Sequence, residues 1–357
     1  MNFSPKKLLS LTCSFVASMA LCFGLVTTAS VQVDSAAVLP AQEAAALKQP
    51  VKMLVPGGEA FGVKVYANGV MVVGLSDINT AEGVKSPAYA AGIRTKDVIT
   101  AVNGDPINTV ERIADILSGC GGSPITVTVS RKGVFFDATL MPALSTDNQY
   151  RIGLWVRDST AGIGTLTFYD PETGCFGGLG HAICDIDTGE VVPIDSGTVV
   201  GAKVVDVKRG QKGEAGELVG IFDEEIRFGK LYQNCEVGIF GMADSPLVIE
   251  RQAVPIAGKY EVREGPATII CSASGLPEEY RITINKVMLN SGVAGKSMAI
   301  QVTDERLIAL TGGIVQGMSG SPILQKGKLV GAVTHVMLGD PTKGYGIFIE
   351  TMLKEVR

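Results

Sequence analysis

Gly317-Met318-Ser319-Gly320-Ser321-Pro322 is the stretch on which the fold reading turns. A serine hydroxyl is a weak nucleophile, so it needs a neighbouring base and a site that stabilises an anion. Glycines on both sides of Ser319 let the backbone turn sharply and aim N–H groups into one concavity. The N–H groups of Gly317 and Ser319 are therefore the candidate oxyanion hole. Pro322 argues against a helix starting at the serine, which the strand-to-helix elbow of an α/β-hydrolase would require. Two strands are expected instead, over 323–325 and 329–336, joined at Lys326-Gly327-Lys328.

Working outward, the base must be His181 or His335, because the chain has only two histidines. His181 lies in Gly178-Leu179-Gly180-His181-Ala182-Ile183, at the end of an expected hairpin, where small neighbours leave its ring open to a cleft. His335 lies in Val333-Thr334-His335-Val336 on a regular strand, where a packed or surface histidine is the ordinary outcome. A serine loop that runs into a β-hairpin suits a chymotrypsin-like barrel. The order of such enzymes is His, Asp, Ser, which favours His181. Asp185 and Asp187 follow His181 too closely to reach back easily. Asp223, Asp244 and Asp304 lie between His181 and Ser319. Asp304 closes a strand 15 residues before Ser319, and the residues alone leave open whether it is a catalytic acid or a turn residue. Many short strands with Gly-rich turns fill 143–357, which suggests a mainly β sandwich or barrel; with the chymotrypsin-like serine loop the expectation is a double β-barrel.

Residues 53–142 show a different, α+β pattern. A short apolar strand (69–74) precedes a helix signal at Ser86-Pro87 that ends at Gly92. A strand over 97–102 closes at Asn103-Gly104. Val110, Ile113, Ile116 and Leu117 have helical spacing, and 125–129 alternates as a half-buried strand. The order resembles a bacterial PDZ domain, most specifically in SPAYAAGIRTKDVITAVNG (86–104). The resemblance implies a groove between a strand and the 109–117 helix that takes a peptide as an added strand and seats its terminal carboxylate on backbone N–H groups. By order, the carboxylate loop is expected near Phe61-Gly62-Val63. The groove is expected to control where the enzyme acts rather than the bond-breaking step.

Lys6 and Lys7 precede an uncharged stretch to residue 33, so 1–33 reads as a signal peptide or membrane anchor and the remainder as exported. Residues 34–52 are Ala-rich and read as a linker. Beyond Cys13 and Cys22 of the first segment, five cysteines remain, an odd number that cannot form a complete disulfide framework. No CxxC occurs and the two histidines are distant, so no metal or cofactor is expected. A net charge of −5 without basic runs speaks against nucleic acid as a partner. With 46% apolar and 19% charged residues, wholesale disorder is excluded.

RDSTAGIGTLTFY (157–169), GLGH (178–181), TGGIVQGMSGS (311–321) and LVGAVTHV (329–336) together resemble the stage IV sporulation protein B family, and the similarity extends over the PDZ region and the N-terminal apolar segment. The resemblance implies an exported serine endopeptidase acting between the mother-cell and forespore membranes. Its implied substrate is a membrane protein that restrains an intramembrane metalloprotease, which then processes a mother-cell sigma factor; self-cleavage is a further implied reaction. On the family's pattern the histidine falls on His181, the nucleophile on Ser319 and the acid on Asp304. Two alternatives remain: a PDZ-containing binding protein with an inactive peptidase domain, and a general envelope quality-control protease.

Overall fold

The computed structural model describes residues 51–356; the expected signal or anchor and nearly all of the linker lie outside the described residues. No helix among the described residues is long and apolar enough to cross a membrane. The chain opens with β1 (Met53–Pro56) and a 16-residue strand, β2 (Ala60–Leu75). The PDZ elements follow: α1 (Pro87–Ala90), β3 (Val98–Val102), α2 (Val110–Gly119), β4 (Ile125–Arg131) and β5 (Val134–Leu140). Thr109 caps α2, its side chain accepting from the Arg112 N–H. Ile113 turns into a core shared with Ile99, Ile125, Val127 and Val129.

A second 16-residue strand, β6 (Leu154–Tyr169), returns along β2. It is followed by β7 (Cys175–Gly178), β8 (Ile194–Lys208), β9 (Glu217–Cys235) and β10 (Gly238–Ala243). The pairings β2-β6-β7-β10-β9-β8 return to β2 and close a barrel. Its interior holds Phe61, Val63, Val65, Leu166, Phe176 and Ile239. Six later strands form a second closed barrel: β11 (Gly265–Cys271), β12 (Glu278–Val287), β13 (Met298–Val302), β14 (Pro322–Gln325), β15 (Lys328–Val336) and β16 (Lys343–Phe348). Between β13 and β14 stands α3 (Glu305–Thr311), and α4 (Ile349–Leu353) packs on β15 and β16. The mainly β, double-barrel architecture with an α+β PDZ domain is thus present, and the hairpin expected after Pro322 is β14–β15.

The boundaries at 53 and 142 are redrawn by the strand pairing. β1 pairs with β6 through Val55↔Tyr169, and the first half of β2 pairs with β6 and β8 in the first barrel. The second half of β2 pairs with β3 of the PDZ domain through Val70↔Ile99 and Met71↔Val98. The PDZ domain is therefore inserted between the two halves of β2 and the two halves of β6. Gly69 marks the crossing on β2: at φ +117° a Cβ there would lie 2.6 Å from the Ile99 carbonyl oxygen.

Candidate active site

The segment 312–321 links α3 to β14 and is fixed from both barrels. Met318, fully buried in the second barrel, anchors it. The Ser321 hydroxyl donates to the Met318 carbonyl (2.7 Å), and the Gly320 N–H to the Val333 carbonyl of β15 (2.8 Å). From the first barrel, β6 supplies three bonds. The Thr165 N–H donates to the Ser319 carbonyl (3.0 Å), its Oγ1 to the Gly317 carbonyl (2.7 Å), and Thr167 Oγ1 to the Gly320 carbonyl (2.7 Å). The glycine after Ser319 is a steric requirement. At φ +96°, a Cβ on Gly320 would lie 2.0 Å from the Thr165 carbonyl oxygen. With their carbonyls bonded to Thr165, Gly317 and Ser319 have N–H groups that donate to no group among the described residues. Two unpaired donors flanking a nucleophile are what an oxyanion hole requires.

His181 comes from the other barrel. It follows β7 through a turn with Leu179 (φ +66°) and Gly180 (φ +69°). His181 and Ser319 line one cavity of about 470 Å³, together with Ile163, Leu179, Gln316 and Gly317. Nδ1 of His181 lies 2.8 Å from the Ala182 carbonyl oxygen. A carbonyl only accepts, so this contact places the proton on Nδ1 and leaves the Nε2 lone pair as the base. Burial holds the His181 pKa below its ordinary value, with the Ala182 carbonyl acting in the opposite direction. Asn234 of β9 pins the residues behind the ring, accepting from the Ile183 N–H (2.8 Å) and donating to the Ile183 and Val192 carbonyls (2.8 and 2.9 Å).

His335, expected to be a packed or surface strand residue, is an exposed residue of β15 that stands beside His181. Its ring centroid lies 5.2 Å from that of His181, tilted by 41°. The Ser319 hydroxyl donates to the carbonyl of the preceding residue, Thr334, at 2.9 Å. Burial, then the His181 and Lys296 charges, push the His335 pKa down to about 4, so this second imidazole is neutral at pH 7.

Asp304 is not brought to His181. It caps α3: Oδ1 accepts from the Arg306 N–H (3.0 Å) and Nε (3.1 Å), and Oδ2 from the Arg281 N–H (3.2 Å) and Arg306 Nη2 (3.1 Å). The Arg306 guanidinium is the main reason its pKa is lowered to about 2. The contact that an orienting acid would make, at Nδ1 of His181, is made by the Ala182 carbonyl. The signal that separates these roles is local. An Asp before the run Leu307, Ile308, Leu310, with Gly312 beyond, marks a helix start and stop.

Phe61, Gly62 and Val63 form no carboxylate loop. Phe61 and Val63 are buried in the first barrel, and Gly62 pairs with Ile163 and Val200. The strand beside α2 is the start of β6, which comes after the helix in the chain rather than before it. A cavity of about 490 Å³ opens there, lined by Leu117 of α2 and by Tyr150, Arg151, Gly153, Leu154 and Trp155.

Residues 148–353 match the SpoIVB peptidase S55 family. The chain belongs to that family. Residues 80–131 match the PDZ domain, so this is a PDZ-containing S55 member. A curated relative, the putative zinc metalloprotease LL2128 of Lactococcus lactis, is 29% identical over 127 residues. That match spans 36% of this chain and only 28% of the relative's length. Among solved structures, the active form of the Rv3671c protease from M. tuberculosis is 13% identical, covering 55% of this chain and 73% of that one (TM-score 0.30). The PDZ domain of the SdrC-like protein from Listeria monocytogenes is 15% identical, covering 25% and 87% (TM-score 0.20). The HtrA-type protease AlgW with a tripeptide is 13% identical, covering 54% of each chain (TM-score 0.32).

Proposed function

We propose that this S55 chain is a serine endopeptidase with Ser319 as nucleophile and His181 as general base. The observation that carries the reading is the single cavity that Ser319 and His181 enter from different barrels. In the described state the Ser319 hydroxyl is bonded to the Thr334 carbonyl, so the reaction starts with its rotation toward Nε2 of His181. His181 takes the proton as Oγ attacks the peptide carbonyl, and the Gly317 and Ser319 N–H groups receive the oxyanion. His181 then returns the proton to the leaving amine, and water releases the acyl group by the same steps.

The substrate in this reading is a protein at a membrane, a regulator of an intramembrane protease acting in endospore formation. Family membership and the PDZ domain support a protein substrate. The exported, membrane-associated location rests on the apolar stretch before residue 33. In this reading the PDZ groove lies between α2 and the start of β6, in the cavity that Leu117, Arg151 and Trp155 line, and receives the C-terminal end of a peptide. A fluorophosphonate probe tests the core of the reading. Wild type should be labelled, whereas Ser319→Ala should be unlabelled and inactive with stability unchanged within about 1 kcal/mol. His181→Ala should be equally inactive, and the double variant no worse. Undiminished labelling of Ser319→Ala would remove Ser319 from its role.

A further inference from the structure

His181 heads a loop, 182–193, whose far side meets the PDZ domain. Lys96 of the PDZ domain pairs with Glu190 at 2.8 Å, and the Thr188 hydroxyl lies 3.7 Å from Met71 Sδ. Asp185 organises the loop, its Oδ1 accepting from the N–H groups of Asp187 (3.1 Å) and Thr188 (2.9 Å). Its carboxylate is 1% exposed, and a charge at that depth requires a partner. Arg157 of β6 is that partner. Its Nη1 reaches Asp185 Oδ2 and its Nη2 reaches Asp187 Oδ2, both at 2.7 Å. One planar guanidinium thus ties together two carboxylates of the loop that begins at His181.

Arg157 also stands where the two domains join. β6 pairs with β2 on the PDZ side through Arg157↔Met71, and pairing resumes on the barrel side at Ser159↔Tyr66. The residue between, Asp158, accepts from the Val110 N–H at the start of α2 (2.8 Å). Neighbouring residues of one strand therefore hold the groove helix and the histidine loop. Arg157 does not line the catalytic cavity, whereas Asp185 does.

We propose that Arg157 is a positioning residue for His181 and that, through Asp158 beside it, the placement of the histidine depends on the helix that lines the PDZ groove. The proposal rests on the reading of His181 and Ser319 as base and nucleophile. A peptide added between α2 and β6 touches the helix that Asp158 holds and the strand that carries both side chains. Peptide occupancy then changes the bond-breaking step, contrary to the separation of roles expected above.

The test uses the full chain, a short chromogenic peptide and a fluorophosphonate. Arg157→Lys keeps a charge for Asp185 but loses the planar fork. Its kcat should fall about tenfold to a hundredfold. KM should stay within about twofold, and the labelling rate of Ser319 should fall by the same factor as kcat. Unchanged kcat and labelling in a folded Arg157→Lys protein would overturn the proposal. Asp187→Asn removes the half-exposed arm of the same fork and leaves no buried charge unpaired. It should lower kcat in the same direction, and if Arg157→Lys does not fold, an unaltered Asp187→Asn overturns the proposal in its place. Asp158→Asn should also lower kcat; wild-type kcat there overturns the link to the helix. Activity or labelling in Ser319→Ala would instead sink the peptidase reading on which this one stands.

Discussion

Ser319 and His181 are held by different barrels, so the chemistry at each is set by different neighbours. Burial lowers the His181 pKa, and a base acts only when neutral. The acid limb of the kcat profile should therefore have its midpoint below the ordinary histidine value of about 6.5. His335→Ala removes a ring packed against His181, opens it to water and should move that midpoint back up toward about 6.5. A pH–rate series on both proteins checks this, and a midpoint that stays put would separate the two rings functionally. Asp304 makes a different contribution. Its folded pKa, about 2, lies below its unfolded value, so its stabilisation is complete above about pH 4 and fades as pH falls toward 2. Asp304→Asn should cost about 1–2 kcal/mol at neutral pH, because a helix cap and an ion pair with a largely exposed arginine weaken together. It should also flatten stability between those pH values. Denaturant unfolding at several pH values measures this. A collapse of kcat in the folded variant would return Asp304 to the catalytic set.

At the scale of elements, β6 carries most of the organisation. Its start edges the PDZ groove, its middle holds α2 and the histidine loop, and its end clamps the serine loop through Thr165 and Thr167. The closest approach in that clamp is Gly320 against Thr165, backbone on backbone, where no side chain can move aside. Gly320→Ala should therefore displace the loop, abolish fluorophosphonate labelling and lower stability by about 2–4 kcal/mol. Thermal melts with labelling report both; a labelled variant with unchanged melting would mean that β6 does not constrain the loop this tightly.

For the molecule as a whole, the PDZ domain is an insertion tethered by two continuous strands, β2 and β6, rather than a bead on a linker. Groove and barrel therefore share backbone. Leu117→Asp places a carboxylate in the cavity where a peptide carboxylate would sit. Binding of a peptide with a free C-terminus should weaken at least about tenfold by fluorescence anisotropy, since burying like charges together is unfavourable. Equal affinity for the variant would place the groove elsewhere.

What the sequence determined by itself was local. The serine loop was legible because its glycines, Pro322 and the following hairpin act over a few residues. The PDZ order was legible for the same reason, from Ser86-Pro87 to Asn103-Gly104 and the spacing of α2. What only the tertiary structure decided was which distant segments meet. No periodicity tells that β6 rather than Phe61-Gly62-Val63 flanks α2, since strand partners are chosen by non-local backbone bonds. The same holds for His335, brought against His181 only when the second barrel closes beside the first. Asp304 shows the converse. Its position before Ser319 fits a catalytic acid, but its main partner is local, the backbone N–H and guanidinium of Arg306 two residues on, and the helix-start pattern around it was already in the sequence.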